Sequence, residues 1–243
     1  MPPLTTVWDL VVRTMPSLRG AQDMPTTIAE QVSRLAETTA AQPPNEIMGA
    51  FTREQAGLAA SGLPVGVIEV GARLPDAELL DAHGATTSLY AALGGRLSVL
   101  VFYRGAWCPY CNIALNTYQA ELVPELSGRG VGLVAISPQT PDGSLSTQEK
   151  HELTFTVLSD PGNQVAKVAG ILTGPSDEAR AVQLQLGLDL TAVNADGTTG
   201  LPMPTTIIAD ADHVIGWIDV HPDYSTRSEP GEILAAVDAL ASR

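Results

Sequence analysis

Cysteine is almost missing from this sequence: there are two in 243 residues, Cys108 and Cys111. So sparse a supply excludes the disulfide framework of a small extracellular domain. Lysine is nearly as rare, with only Lys150 and Lys167, so arginine carries most of the positive charge. Bases are few altogether, 13 against 27 acids, and the formal charge is −14. Such a surface repels nucleic acid and anionic membrane, and neither is expected as a partner. No stretch reaches the roughly 18 apolar residues of a membrane span. The opening MPPLTTVWDLVVRTMPSL lacks a basic start and carries Asp9 and Arg13 within its apolar part, which argues against a secretory signal. The expected setting is cytoplasmic.

What is present is an α/β pattern. Ile28, Val32 and Leu35 step by four and three, as on one helical face. Pro43 and Pro44 break that helix, and a second helical run carries Ile47, Phe51 and Leu58. SGLPVG at 61–66 reads as a boundary, giving a helical extension over 1–62 and a main domain over 63–243. Short strands are expected at Val67–Val70 and Ala77–Leu80, with a turn at His83–Gly84. The apolar runs LSVLVFY (97–103) and VGLVAIS (131–137) read as strands buried on both faces. Between them, Cys111, Leu115, Tyr118, Leu122 and Leu126 mark a helix whose last turn Pro124 should kink or shorten. Strand, helix, strand implies a parallel pair with a right-handed crossover. TTIIA (205–209) and VIGWIDV (214–220) read as a hairpin, with Asp210 and Asp212 in its turn. A last helix has Ser228 as its N-cap and Ile233, Leu234, Val237 and Leu240 as buried residues.

Both cysteines lie in FYRGAWCPYC (102–111), where a buried strand gives way to a helix. One turn separates them, and they share a face. Unpaired N–H groups and the helix dipole favour a thiolate at Cys108, with Pro109 helping to fix the turn. Lowering a thiol from ~8.5 to ~6 raises its thiolate fraction at neutral pH roughly thirty-fold. On this reading Cys108 attacks and Cys111 resolves. A structural disulfide across so small a loop gives little entropic gain. A zinc site needs four ligands, and His83, His151, His213 and His221 are scattered singly. Neither metal nor cofactor is expected.

Several stretches resemble the alkyl hydroperoxide reductase/thiol-specific antioxidant family, the peroxiredoxin-like branch of the thioredoxin-like superfamily. They are VLVFYRGAWCPYCNIAL, VAISPQTPDGSL, LTFTVLSDPGNQVAK, LPMPTTIIADADHVI and VHPDYSTRSEPGEIL. The first is similar to the active site of a subgroup with Trp-Cys-Pro-x-Cys. The resemblance implies a central mixed sheet flanked by helices, and a cis bond between Met203 and Pro204 beside the cysteines. It implies a thiol peroxidase with peroxidatic Cys108 and resolving Cys111, recycled by thioredoxin or another dithiol donor. The alternative class is a thiol-disulfide oxidoreductase. The family pattern also places a proline and a threonine or serine before the peroxidatic cysteine, and an arginine near Pro204. No hydroxyl lies three residues before Cys108, and no arginine lies at Pro204.

Around the pair, Trp107 is either a shield for the thiolate or plain packing. Arg104 is either a thiolate-stabilising charge or a loop arginine in solvent. Arg227 either returns to the site or pairs with Glu229 or Glu232. Tyr103 and Tyr110 read as packing, Gln139 as a solvated loop residue, and His221 and Tyr224 as weak candidates. Residues 1–62 carry no chemical motif and either cover a face of the domain or pair two copies in a homodimer.

Overall fold

In the run SVLVF, side chains of a strand must alternate between faces. Val99, Val101 and Tyr103 enter one apolar cluster, and Leu100 and Phe102 enter another on the opposite face. The computed structural model describes residues 27–40 and 46–242. Expectations for residues 1–26, for the Pro43–Pro44 break and for the side chain of Ile47 lie outside the described residues.

The strands are β1 (Glu78–Asp81), β2 (Thr86–Ser88), β3 (Ser98–Phe102), β4 (Gly132–Ser137), β5 (Thr156–Ser159), β6 (Leu172–Thr173), β7 (Leu201–Pro202), β8 (Thr205–Ala209) and β9 (Ile215–Val220). The helices are α1 (Ile28–Ala40), α2 (Glu46–Ser61), α3 (Leu89–Leu93), α4 (Pro109–Thr117), α5 (Val123–Gly128), α6 (Pro141–Lys150), α7 (Gln164–Val168), α8 (Asp177–Gln185), α9 (Leu190–Val193) and α10 (Pro230–Ala241). The main sheet runs β2-β1-β5-β4-β3-β8-β9. It is mixed: β3, β4 and β5 are parallel, whereas β8 runs antiparallel to β3 and β9 to β8. Helices α1, α4 and α10 contribute to one face, and α3 and α7 to the other. This is a thioredoxin-like α/β arrangement.

The first helix joins the core directly. Ile28 is fully buried, with Val32 and Leu35 packed beside it. The Ile28 and Ala29 N–H groups donate to the Glu229 carboxylate, each at 2.9 Å. A carboxylate at a helix N-terminus satisfies orphan donors and complements the dipole.

Three local expectations need correction. Val67–Val70 forms no strand; Ile68 N–H bonds singly to the Ala169 carbonyl instead of entering a ladder. The N-cap of α10 is Glu229, because the Ser228 hydroxyl is drawn to Asp219. The helix after the cysteines is not shortened at Pro124: it widens into a π-turn, Tyr118–Leu122, and resumes as α5 through Gly128. There the Val123 N–H reaches back to the Tyr118 carbonyl. Pro124 brings no N–H of its own, and the widened turn accommodates that loss. Among the described residues, no helix is long and apolar enough to cross a membrane.

Candidate active site

The site begins where β3 ends. Loop residues 104–107 lead to Cys108, the N-cap of α4, and Pro109 occupies its first turn. Gln139, just beyond β4, holds the loop. Its Oε1 accepts the Ala106 N–H at 2.8 Å, and its Nε2 donates to the Tyr103 hydroxyl at 2.9 Å and to Thr147 Oγ1 at 3.2 Å. Asn112 Nδ2 donates to the Ala106 carbonyl at 2.9 Å. Gln139 is therefore a buried brace for the loop, not a solvated residue. Its position at the C-terminal end of a buried strand was the available signal.

Both cysteines are free thiols and almost inaccessible, Cys108 at 1% exposure and Cys111 at 0%. Their surroundings differ. Cys111 Sγ receives the Arg227 guanidinium through Nη2 at 3.1 Å and the Arg104 backbone N–H at 3.4 Å. Cys108 makes no side-chain cap bond to the helix it precedes. Burial opposes charge on Cys111. The Cys108 thiol, Arg227 and Arg104 outweigh it and bring Cys111 down to about 5. Burial, then the hydrogen bond and charge of Cys111, push Cys108 well above its ordinary value. These contacts favour a thiolate at Cys111, whereas the sequence reading placed it at Cys108. The donors on Cys111 come from outside the helix, from the loop N–H of Arg104 and the side chain of Arg227.

Arg227 does not pair with Glu229 or Glu232. Its Nη1 donates to the Tyr224 carbonyl at 2.6 Å and to the Thr226 carbonyl, while Nη2 faces the sulfur. Arg104 is buried too, with its guanidinium carbon 3.9 Å from the Tyr224 ring centroid and 5.1 Å from that of Trp107. Trp107 is partly buried, packed against the main core and against Leu188, Leu190 and Leu201. Helix α2 lies against this cluster. Gln55 Nε2 donates to the Tyr110 hydroxyl at 3.3 Å, and the Tyr224 hydroxyl donates to the Phe51 carbonyl at 3.4 Å. Glu54 accepts the Ser176 N–H at 2.6 Å. Glu54, Arg104, Pro204 and Tyr224 line a cleft of about 10 Å³, room for a single water. Sequence reasoning gave α2 no part in the site, since nothing in its residue types signals chemistry.

The Met203–Pro204 bond is trans, contrary to expectation. The bond links β7, in the two-stranded sheet with β6, to β8 of the main sheet. The Met203 N–H bonds to the Ile171 carbonyl, and the Pro204 carbonyl accepts the His221 N–H at 2.9 Å. Among the described residues, no group of three His, Cys, Asp or Glu is placed to hold a metal.

Residues 70–218 match the AhpC/TSA family, which is more than half of the chain. The chain belongs to this family. Its AhpC/TSA relatives include the putative peroxiredoxin bcp of Haemophilus influenzae, 34% identical over 104 residues, or 43% of this chain and 66% of the relative. Peroxiredoxin Bcp of Bacillus subtilis is 31% identical over 102 residues, or 41% of this chain and 62% of the relative. The match thus spans less than two thirds of these relatives' lengths. Among solved AhpC/TSA-like structures, peroxidoxin BcpB from Mycobacterium tuberculosis superposes with a TM-score of 0.55 at 21% identity, covering 71% of this chain and 98% of that one. Reduced Prx3 from Vibrio vulnificus, in complex with H2O2, gives 0.57 at 21% identity, covering 70% and 99%. These structures share the fold.

Proposed function

We propose that the protein is a thiol peroxidase in which Cys111 is the attacking thiolate and Cys108 the resolving thiol. The observation that carries the reading is the Arg227 guanidinium, 3.1 Å from Cys111 Sγ. It reverses the roles suggested by the sequence. Counted from Cys111, the Cys108 thiol stands three residues before the attacking sulfur, where the family pattern has its hydroxyl, while no proline precedes it in the loop 104–107.

The Cys111 thiolate attacks the terminal oxygen of a hydroperoxide. The S–O bond forms as O–O breaks, and the departing alkoxide or hydroxide takes a proton to become alcohol or water. Cys111 is now a sulfenic acid. Its negative charge is gone, and so is the interaction that held the Cys108 proton. Cys108 then attacks Cys111, a disulfide forms, and water leaves. A dithiol donor of the thioredoxin type restores both thiols and is itself oxidised to a disulfide. The proposed setting is a reducing cytoplasm, where such a donor is available. Two buried sulfurs suit a small peroxide better than a protein disulfide, which must bring its own bulk in line with the attacking sulfur.

The test mixes reduced protein with hydrogen peroxide or an organic hydroperoxide under stopped flow, following Trp107 emission, and reads intact mass afterwards. Cys108→Ser should react once and stop at a sulfenic acid, while Cys111→Ser stays unmodified. Modification of Cys111→Ser instead would restore the opposite assignment. Peroxide reactivity no faster than a free thiol, together with efficient reduction of a disulfide-bonded protein, would favour an oxidoreductase.

A further inference from the structure

Arg227 sits in a loop between β9 and α10, and a loop alone does not hold a guanidinium to within tenths of an ångström. Its two sequence neighbours are both tied to one pair of side chains. Thr226 Oγ1 lies 2.8 Å from His221 Nδ1. The Ser228 hydroxyl donates to Asp219 Oδ2 at 2.7 Å. Asp219 and His221 are themselves joined, Oδ2 to Nε2, at 2.9 Å.

The anchorage continues on both sides. The His221 N–H is fixed on the Pro204 carbonyl at the entrance to β8, and Ser228 Oγ stands 3.1 Å from Thr206 Oγ1 within β8. The Ser228 carbonyl accepts the Tyr118 hydroxyl at 2.7 Å, from the π-turn of the cysteine-bearing helix. Asp219 belongs to β9, so the clamp is founded on the sheet. Ser228 and Arg227 are buried, whereas Asp219 and His221 are half-buried at its edge.

We infer that Asp219 and His221 are positioning residues for the peroxidase chemistry: they clamp Thr226 and Ser228, and so hold the Arg227 guanidinium against Cys111. Neither touches a sulfur, and both act through Arg227. The inference rests on the reading of Cys111 as the working thiolate, but it concerns the ionisation of that thiol and not its reaction with peroxide.

The experiment titrates the thiolate of reduced full-length protein by its ultraviolet absorbance, in the absence of peroxide. A Cys108→Ser background leaves one thiol to observe. Asp219→Asn keeps the side chain's volume and weakens its hold on Ser228 and His221; Thr226→Val cuts the other arm at an exposed residue. Each should raise the Cys111 midpoint by about one unit, as expected for a loosened cationic neighbour. In an Arg227→Gln background the same substitutions should shift the midpoint no further. A midpoint that stays put in both variants, or one that moves equally with and without Arg227, overturns the clamp. A purely structural role would lower the unfolding midpoint and leave the thiolate titration in place. Because no peroxide is used, failure of the clamp and failure of the peroxidase reading are distinguishable.

Discussion

Arg227 Nη2 stands 3.1 Å from Cys111 Sγ across 116 residues of sequence. A cation this close, in a site that excludes water, favours the charged form of the sulfur it faces. Replacing Arg227 with Gln should raise the Cys111 midpoint by about 1 to 3 units, the usual effect of removing an adjacent opposite charge. The rate of reaction with peroxide near neutral pH should fall in step with the thiolate fraction. A variant whose midpoint matches the parent would show that Arg227 is a bystander.

The pH profile follows with a definite sign. The reactive form is the thiolate, so protonation removes activity. With Cys111 at about 5, alkylation should stay near its plateau down through mildly acidic pH and fall only below that value. A free thiol loses its reactivity already below ~8.5. Alkylation rate against pH, with the site of alkylation on the parent protein read by peptide mass, separates the two curves. A half-maximum at the free-thiol value would exclude thiolate stabilisation.

Gln139 braces the loop before the cysteines through three hydrogen bonds. Gln139→Leu strands the Ala106 N–H and leaves the Tyr103 and Thr147 hydroxyls without that partner. Each buried group so stranded costs about 1–3 kcal/mol. The urea midpoint should drop with little change in slope, and the peroxide rate should fall as the Arg104 backbone N–H loses its register on Cys111. An unchanged midpoint would mean that water replaces the amide.

Gly105 has φ +147°, and a Cβ there would meet Trp107 Nε1 at 2.5 Å. Gly105→Ala should displace the indole and add backbone strain of about 1–3 kcal/mol. A lower Tm and a shifted tryptophan emission should appear together. If only Tm moves, Trp107 has kept its place and the loop has yielded elsewhere.

Helix α2 bonds to Tyr110, Tyr224 and Ser176 around the site. The double variant Glu54→Ala/Gln55→Ala should speed alkylation of Cys111 by a bulky maleimide several-fold more than by small iodoacetamide, since local opening sets access to buried groups. Equal acceleration of both reagents would argue against α2 as the cover.

The centre of the sheet was legible because its strands are continuous apolar runs, buried on both faces. Thr205–Ala209 coincides with the expected strand, and β3 and β4 fall within a residue of theirs at each end. The location of the reactive pair was legible because only two cysteines exist. Their division of labour was not. Helix-end polarity is a local property that sequence reports, whereas the guanidinium beside Cys111 arrives from a loop beyond β9. Trans Pro204 was missed because a proline constrains its own φ but leaves the isomer to the surrounding chain. The contribution of α2 was invisible because hydrogen bonds from Gln55 and the Phe51 carbonyl carry no residue signature.

Cys108 caps the helix that holds Cys111 in its first turn, within one chain. Closing a bond between them is therefore first order in protein, with a half-time independent of dilution. A competing external thiol meets the sulfenic acid in a second-order encounter. It must overcome the effective molarity of a neighbour already in place, which for well-oriented groups far exceeds any cellular thiol concentration. In the proposed mechanism, molecularity alone makes the oxidised state an internal disulfide, whether the chain is abundant or scarce.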